Sequence, residues 1–197
     1  MKTDILLAGV GGQGILSIAA VIGEAALHMG LYMKQAEVHG MSQRGGDVQS
    51  NLRISDTVIY SDLISKGKAD LIIALEPMEA LRYLPYLSEN GWLVTNSAPF
   101  INIPNYPDEK ALQKALELVP NRVVLNMDLL AQELGSSRVS NILMLGAATP
   151  FLGIDYVEIE NGIRRIFAKK GESVVEMNLK ALEAGKSLAN QKLNPVL

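Results

Sequence analysis

The chain has no cysteine among its 197 residues. It can form no disulfide, offer no thiolate nucleophile and hold no iron-sulfur cluster of the ordinary all-cysteine kind, so any redox metal must sit on another chain. It also lacks a surplus of positive charge, with 18 basic side chains against 21 acidic ones. Aromatic residues make up only 5% of the chain and are not interleaved with a basic run. Nucleic acid is therefore not an expected partner. No apolar run approaches the roughly 20 residues that span a bilayer. The short apolar run ahead of the first glycines is too brief for a secretory signal. The expectation is a cytoplasmic protein without a membrane anchor.

What is present is apolar: 48% of the residues are hydrophobic, enough for one well-buried domain. Residues 4–8 read as a wholly apolar strand, 13–29 as a helix apolar nearly all round, and 31–38 as a second strand. "DVQSNLRIS" alternates polar and apolar residues and "VIYSD" resembles another short strand, which suggests a hairpin-like excursion. "ADLIIALEP" is a buried strand stopped by Pro77. A helix through Leu81 and Leu84 follows, then the strand "GWLVTNSA", a helix over 108–118 and the strand "RVVLNM". This order predicts an α/β fold, a doubly wound, mostly parallel, Rossmann-like sheet covered on both faces. Residues 1–128 form its α/β core, and 129–197 a helical C-terminal segment packing on that core within one domain. In this segment "NILMLGAATPFLGI" reads as a buried core helix or as a surface that meets a partner. "ESVVEMNLKALEAGKSLANQ" reads as an amphipathic helix.

Gly9, Gly11 and Gly14 fit G-x-G-x-x-G directly after a strand and at the start of a helix, with Gly12 and Gln13 inside the motif. A backbone without Cβ atoms can turn tightly there and bring helix N–H groups to a phosphate. Glu37, roughly placed at the end of the second strand, is the carboxylate that a nicotinamide site would use on ribose hydroxyls. Three features oppose a simple dehydrogenase: the acid lies within the polar run "AEVHGMSQRGG", there is no second domain for a substrate, and the later strands carry no evident proton donor. A tight strand-helix turn that binds nothing needs the same glycines.

The second notable stretch is "EVHGMSQRGGDV". It places a carboxylate, an imidazole, an amide and a guanidinium among glycines that let the chain fold back, a composition suited to binding or docking. Paired with "GVGGQG", this run resembles the gamma-type domain of the 2-oxoacid:ferredoxin oxidoreductases. The short, cysteine-free chain looks most like the beta-subunit type of the indolepyruvate branch. It departs from the family pattern at Ser42, where alanine is common, and at Asp47, where a small uncharged residue is common.

The resemblance implies oxidative decarboxylation of a 2-oxoacid, an arylpyruvate in that branch, with coenzyme A as co-substrate. The products are an acyl-CoA and carbon dioxide, and the electrons pass to ferredoxin. It further implies a larger alpha subunit that carries thiamine diphosphate and [4Fe-4S] clusters, so that this chain holds no cofactor of its own and is inactive alone. The absence of cysteine, and of a Gly-Asp-Gly segment ending in paired asparagines, agrees with that division. A homodimer is left open for the chain without its partner. Two other readings stay open: an independent NAD(P)-binding oxidoreductase and a noncatalytic assembly module.

The candidate binding residues are thus Gly9, Gly11, Gly12, Gln13 and Gly14 in the first loop, and Glu37, His39, Gly40, Ser42, Gln43, Arg44, Gly45 and Gly46 in the second. Arg44 is suited to clamp a phosphate or carboxylate, or to pair with Glu37 or a partner subunit. His39 is read as a hydrogen-bonded structural residue or an acid-base group. Ser42 and Gln43 are donors to a ligand or braces for the loop. Outside the loops, His28 is expected to be structural at a helix C-terminus. Glu76, Asn96, Ser97 and Asn126 fall at strand ends, and Asp128 is expected to cap the following helix.

Overall fold

Consecutive residues of a strand point to opposite faces of its sheet, and the opening segment "ILLA" uses both. Ile5 and Leu7 join one hydrophobic core, while Leu6 and Ala8 join the other. A strand apolar on both sides must lie inside a sheet covered on both faces. The computed structural model describes residues 1–39 and 45–194, His39 in its backbone only.

Six strands form one sheet: β1 (Lys2–Val10), β2 (Tyr32–His39), β3 (Asp47–Ser55), β4 (Ala69–Ala74), β5 (Leu87–Asn96) and β6 (Arg122–Leu125). Their order is β2-β3-β1-β4-β5-β6. β1, β4, β5 and β6 pair in parallel. β2 and β3 form an antiparallel hairpin, with β3 antiparallel to β1 from Lys2↔Ser55 to Val10↔Asp47. The hairpin expected between "DVQSNLRIS" and "VIYSD" is corrected: β3 pairs instead with the preceding strand β2, and it takes the place beside β1 that β2 holds in the ordinary dinucleotide fold. "VIYSD" is not a strand. The Arg53 guanidinium instead fastens that segment by donating to the carbonyls of Ser61 and Leu63 at 3.0 and 3.2 Å.

On one face lie α1 (Ile15–His28), α4 (Met127–Glu133), α5 (Ser140–Ala148), α6 (Tyr156–Phe167) and α7 (Glu172–Leu193). On the other lie α2 (Pro77–Tyr83) and α3 (Glu109–Glu117). α5 is the apolar run around Gly146, buried from Asn141 to Ala148. It is covered by α7: a Cβ on Gly146 would come within 2.1 Å of the Leu182 carbonyl oxygen, and one on Gly185 within 2.0 Å of the Leu143 carbonyl oxygen. The alternative of α5 as a partner-facing surface is thereby set aside. His28, at the end of α1, pairs with Glu158 of α6 at 2.8 Å, a structural role as expected. Among the described residues no helix is long and apolar enough to cross a membrane.

The carboxyl edge of the sheet is where ligands bind in open α/β folds, at the point where successive connections leave in opposite directions. Here that point lies between β1, whose helix α1 covers one face, and β4, whose helix α2 covers the other.

Candidate functional site at the carboxyl edge

The first glycine loop joins β1 to α1 at this point. Gly9 is the next-to-last residue of β1, and a Cβ there would meet Gln13 Oε1 at 2.8 Å and Leu75 Cβ at 3.3 Å. Gly12 and Gly14 have φ of +102° and +90°, a region that side-chain-bearing residues avoid. Gly14 precedes α1 without a side-chain cap, and Asn141 Nδ2 donates to its carbonyl at 3.2 Å. Each of these glycines thus has a steric or conformational reason to be glycine.

Gln13 closes the crevice itself. Its Oε1 accepts from Val10 N at 2.8 Å, and its Nε2 donates to the Leu75 carbonyl at 3.2 Å. Asn96 Nδ2 donates to the same carbonyl from β5 at 3.4 Å, while its Oδ1 accepts from Ala98 N and Met127 N. Two side-chain amides therefore tie the ends of β1, β4 and β5 together where a ligand would otherwise enter.

Gly45 and Gly46, from the second glycine motif, bond to the first. Gly11 N donates to the Gly46 carbonyl at 2.8 Å, and Gly45 N to the Gly11 carbonyl at 3.3 Å. The Gly11 amide is consequently spent on the protein, as is that of Gln13, which donates to the Val10 carbonyl at 3.1 Å. Beside the loop is a cleft of about 290 Å³ lined by Val10, Gly11, Gly12, Gly14, Ile15, Leu16, Glu37 and Val48. Its size is at the lower end for ligand sites, room for one end of a nucleotide.

Glu37 lies on β2, with β3 between it and β1. Two interstrand spacings, roughly 10 Å, separate its strand from β1, which is a different geometry from the neighbouring strand that carries the ribose-binding acid in dinucleotide folds. The backbone of His39 pairs with Val48 in the β2-β3 ladder. Gly40, Ser42, Gln43 and Arg44 lie outside the described residues.

Several contacts at this edge were not foreseen from the sequence, although Asp47 and Glu76 are singled out there. Asp47, next after Gly46, accepts from the Tyr83 hydroxyl at 2.7 Å. Glu79, 2% exposed, is bound by Arg82 at 2.8 Å; burial above all, with Asp47 adding repulsion, pushes its carboxyl up to about 7. Glu76 is fully buried and caps α2 by accepting from Glu79 N at 2.9 Å. It also accepts from Phe100 N at 3.3 Å and from the Tyr106 hydroxyl. The segment 98–107 that it holds carries the exposed side chains of Phe100, Ile101 and Ile103. The capping expectation for Asp128 is corrected: Asn126 caps α4, its Oδ1 accepting from Leu129 N at 3.0 Å, and Asp128 lies in the first turn. The side chain one peptide before the helix reaches N3 directly, whereas Asp128 is already inside.

The chain and its fold are similar to those of known proteins. Residues 4–188 match the model of the pyruvate ferredoxin/flavodoxin oxidoreductase family, and the chain belongs to that family. Indolepyruvate oxidoreductase subunit IorB of Archaeoglobus fulgidus is 36% identical over 197 residues, covering 94% of each chain. The subunit of the same name from Pyrococcus horikoshii is 36% identical over 201 residues, covering 97% of this chain and 98% of its own.

Among solved structures, the keto/oxoacid ferredoxin oxidoreductase gamma subunit of Geobacter sulfurreducens superposes with a TM-score of 0.71 at 26% identity, over 95% of this chain and 98% of that one. The 2-oxoglutarate:ferredoxin oxidoreductase of Magnetococcus marinus, solved with 2-oxoglutarate, coenzyme A and succinyl-CoA bound, superposes with a TM-score of 0.75 at 25% identity. It matches 96% of this chain but only 31% of its own longer chain.

Proposed function

We propose that the chain is the small subunit of a 2-oxoacid:ferredoxin oxidoreductase of the arylpyruvate type. The complex oxidatively decarboxylates the 2-oxoacid with coenzyme A to an acyl-CoA and carbon dioxide, and ferredoxin takes the electrons. The observation that carries this reading is the full-length similarity to two indolepyruvate oxidoreductase subunits, together with the hydrogen bonds that join the two glycine motifs.

Thiamine diphosphate, which stabilises the acyl carbanion, and the clusters are assigned to the larger subunit. One feature supports that division: the sequence has no cysteine to ligate a cluster. The role assigned to this chain is to complete the active-site entrance with the loop that contains residues 39–46. The cleft at Gly12–Leu16 is assigned to the phosphate end of coenzyme A, whose charge the opening turn of α1 favours. Its modest volume and the neighbouring Glu37 carboxylate suit a phosphate next to a hydroxyl-bearing ribose better than a whole cofactor.

The test is reconstitution. The larger subunit is assayed for arylpyruvate- and coenzyme A-dependent dye reduction with and without this chain. Turnover that requires both chains is the expected result. Full turnover by the larger chain alone contradicts a role in the site, and coenzyme A that leaves amide exchange over residues 12–16 unchanged removes its assignment to the cleft.

A further inference from the structure

The segment 98–107 leaves the end of β5 and crosses the carboxyl edge toward the glycine loops, yet none of its residues is buried. Phe100, Ile101 and Ile103 are 44%, 66% and 42% exposed, so apolar burial does not fix its course. Polar tethers do. At its two ends Phe100 N and the Tyr106 hydroxyl both reach Glu76 Oε1, and between them Asn102 Nδ2 donates to the Gly45 carbonyl at 2.7 Å. Gly45 and Gly46 are in turn bonded to Gly11. A continuous hydrogen-bonded path therefore runs from a buried carboxylate at the end of β4, through a segment without a core anchor, to the junction of both glycine loops.

We propose that Glu76 and Tyr106 are positioning residues of the site: they hold the 98–107 segment where Asn102 fixes the carbonyl of Gly45, and so set Gly45 and Gly46 against the first glycine loop. This inference rests on the function proposed above. Glu76 is suited to the task because its other oxygen is committed to the α2 cap, which leaves the carboxylate no freedom to follow a moving loop. Burial and the Glu76 carboxylate keep the Tyr106 hydroxyl protonated well above the ordinary phenol range, so it remains a donor at every pH at which the enzyme works. Loops held mainly by exposed polar contacts open most readily, and removal of one tether is expected to loosen the whole path.

The test uses Tyr106→Phe and Asn102→Ala, singly and together, in the assembled complex. Each single variant is expected to raise the KM for coenzyme A by about five- to tenfold, the worth of one hydrogen bond, with kcat within about twofold. The double variant is expected to be no worse than either single one, because both cut the same path. An unchanged KM, effects that multiply in the double variant, or a fall in kcat accompanied by loss of the partner subunit would each overturn the proposal. Amide exchange at Gly11 and Gly45 supplies a readout independent of turnover, expected to quicken about tenfold in Tyr106→Phe. Unchanged exchange overturns the positioning whatever the enzyme does. Quickened exchange in Tyr106→Phe, where the wild-type complex turns over no 2-oxoacid, supports the positioning and counts against the proposed function alone.

Discussion

The amide of Gly11 donates to the carbonyl of Gly46 across 2.8 Å. The β1-β3 ladder, whose last pair is Val10↔Asp47, thus runs one step past both strands into the loops. Two glycine-rich motifs that stand apart in the sequence are one structural unit, and a change in one loop is felt by the other.

The glycines of the first loop are expected to differ in cost. At Gly12, φ is +102° with open space around a Cβ, so Gly12→Ala should cost about 1–2 kcal/mol for the left-handed backbone alone. At Gly14 a Cβ would also come within 2.5 Å of Asn141 Nδ2 and displace it from the Gly14 carbonyl. Gly14→Ala should therefore cost about 1 kcal/mol more. Urea denaturation of both variants measures the difference; equal costs would mean that Asn141 does not hold the loop.

The crossing of α5 and α7 should tolerate no side chain. Gly146→Ala and Gly185→Ala each drive a methyl into backbone of the facing helix, and each is expected to cost about 3 kcal/mol or more. The double variant should cost less than the sum, since the first separation of the helices makes room for the second methyl. Thermal denaturation of the three variants reads this directly.

A buried ion pair at the opposite end of β1 offers a third measurement. Asp4 is 1% exposed and is held by the Arg53 guanidinium at 2.7 and 3.1 Å, with Lys2 at 2.9 Å. Arg53→Ala leaves the carboxylate with one exposed partner and also frees the segment around Ser61. A loss of about 3 kcal/mol is expected, and Asp4→Asn in the same background should recover part of it.

Glu79 gives stability a pH dependence of defined sign. Burial pushes its carboxyl up to about 7 in the folded protein, from about 4.5 for a solvated glutamate, so between those values the folded state binds more protons than the unfolded state. Its contribution is fully present below about pH 4.5 and is lost as pH rises through about 7. Glu79→Gln should thus gain stability relative to the wild type between pH 5 and pH 8, as read from melting temperatures across that range. A constant difference would place the titration elsewhere.

Much of this was legible in the sequence for local reasons. The strands "ILLA" and "DVQSNLRIS" and the buried α5 follow from periodicity and length, and the glycine loop from its setting between a strand and a helix; the hairpin partner of "DVQSNLRIS" was misplaced, being β2 rather than "VIYSD". Strand neighbours were not legible: alternation marks β3 as a strand but does not say that it lies between β1 and β2, which moves Glu37 outward. Nor was the 98–107 segment, which lies between the expected strand "GWLVTNSA" and the expected helix over 108–118 and drew no reading. Its partners, Glu76 and Gly45, are 24 and 57 residues away from the groups they bind, beyond any local pattern. The exposed apolar run "FINI" in a polar setting was the one signal that could have drawn notice to it.

The most direct measurement is the native mass of the chain purified anaerobically from its own cells under mild conditions, together with iron, thiamine and arylpyruvate-dependent dye reduction in the same fractions. A particle that joins this chain to a larger iron- and thiamine-containing subunit, and that turns over arylpyruvate with coenzyme A, is the predicted result. A stable particle of this chain alone, without iron or thiamine and inert toward 2-oxoacids, would contradict it.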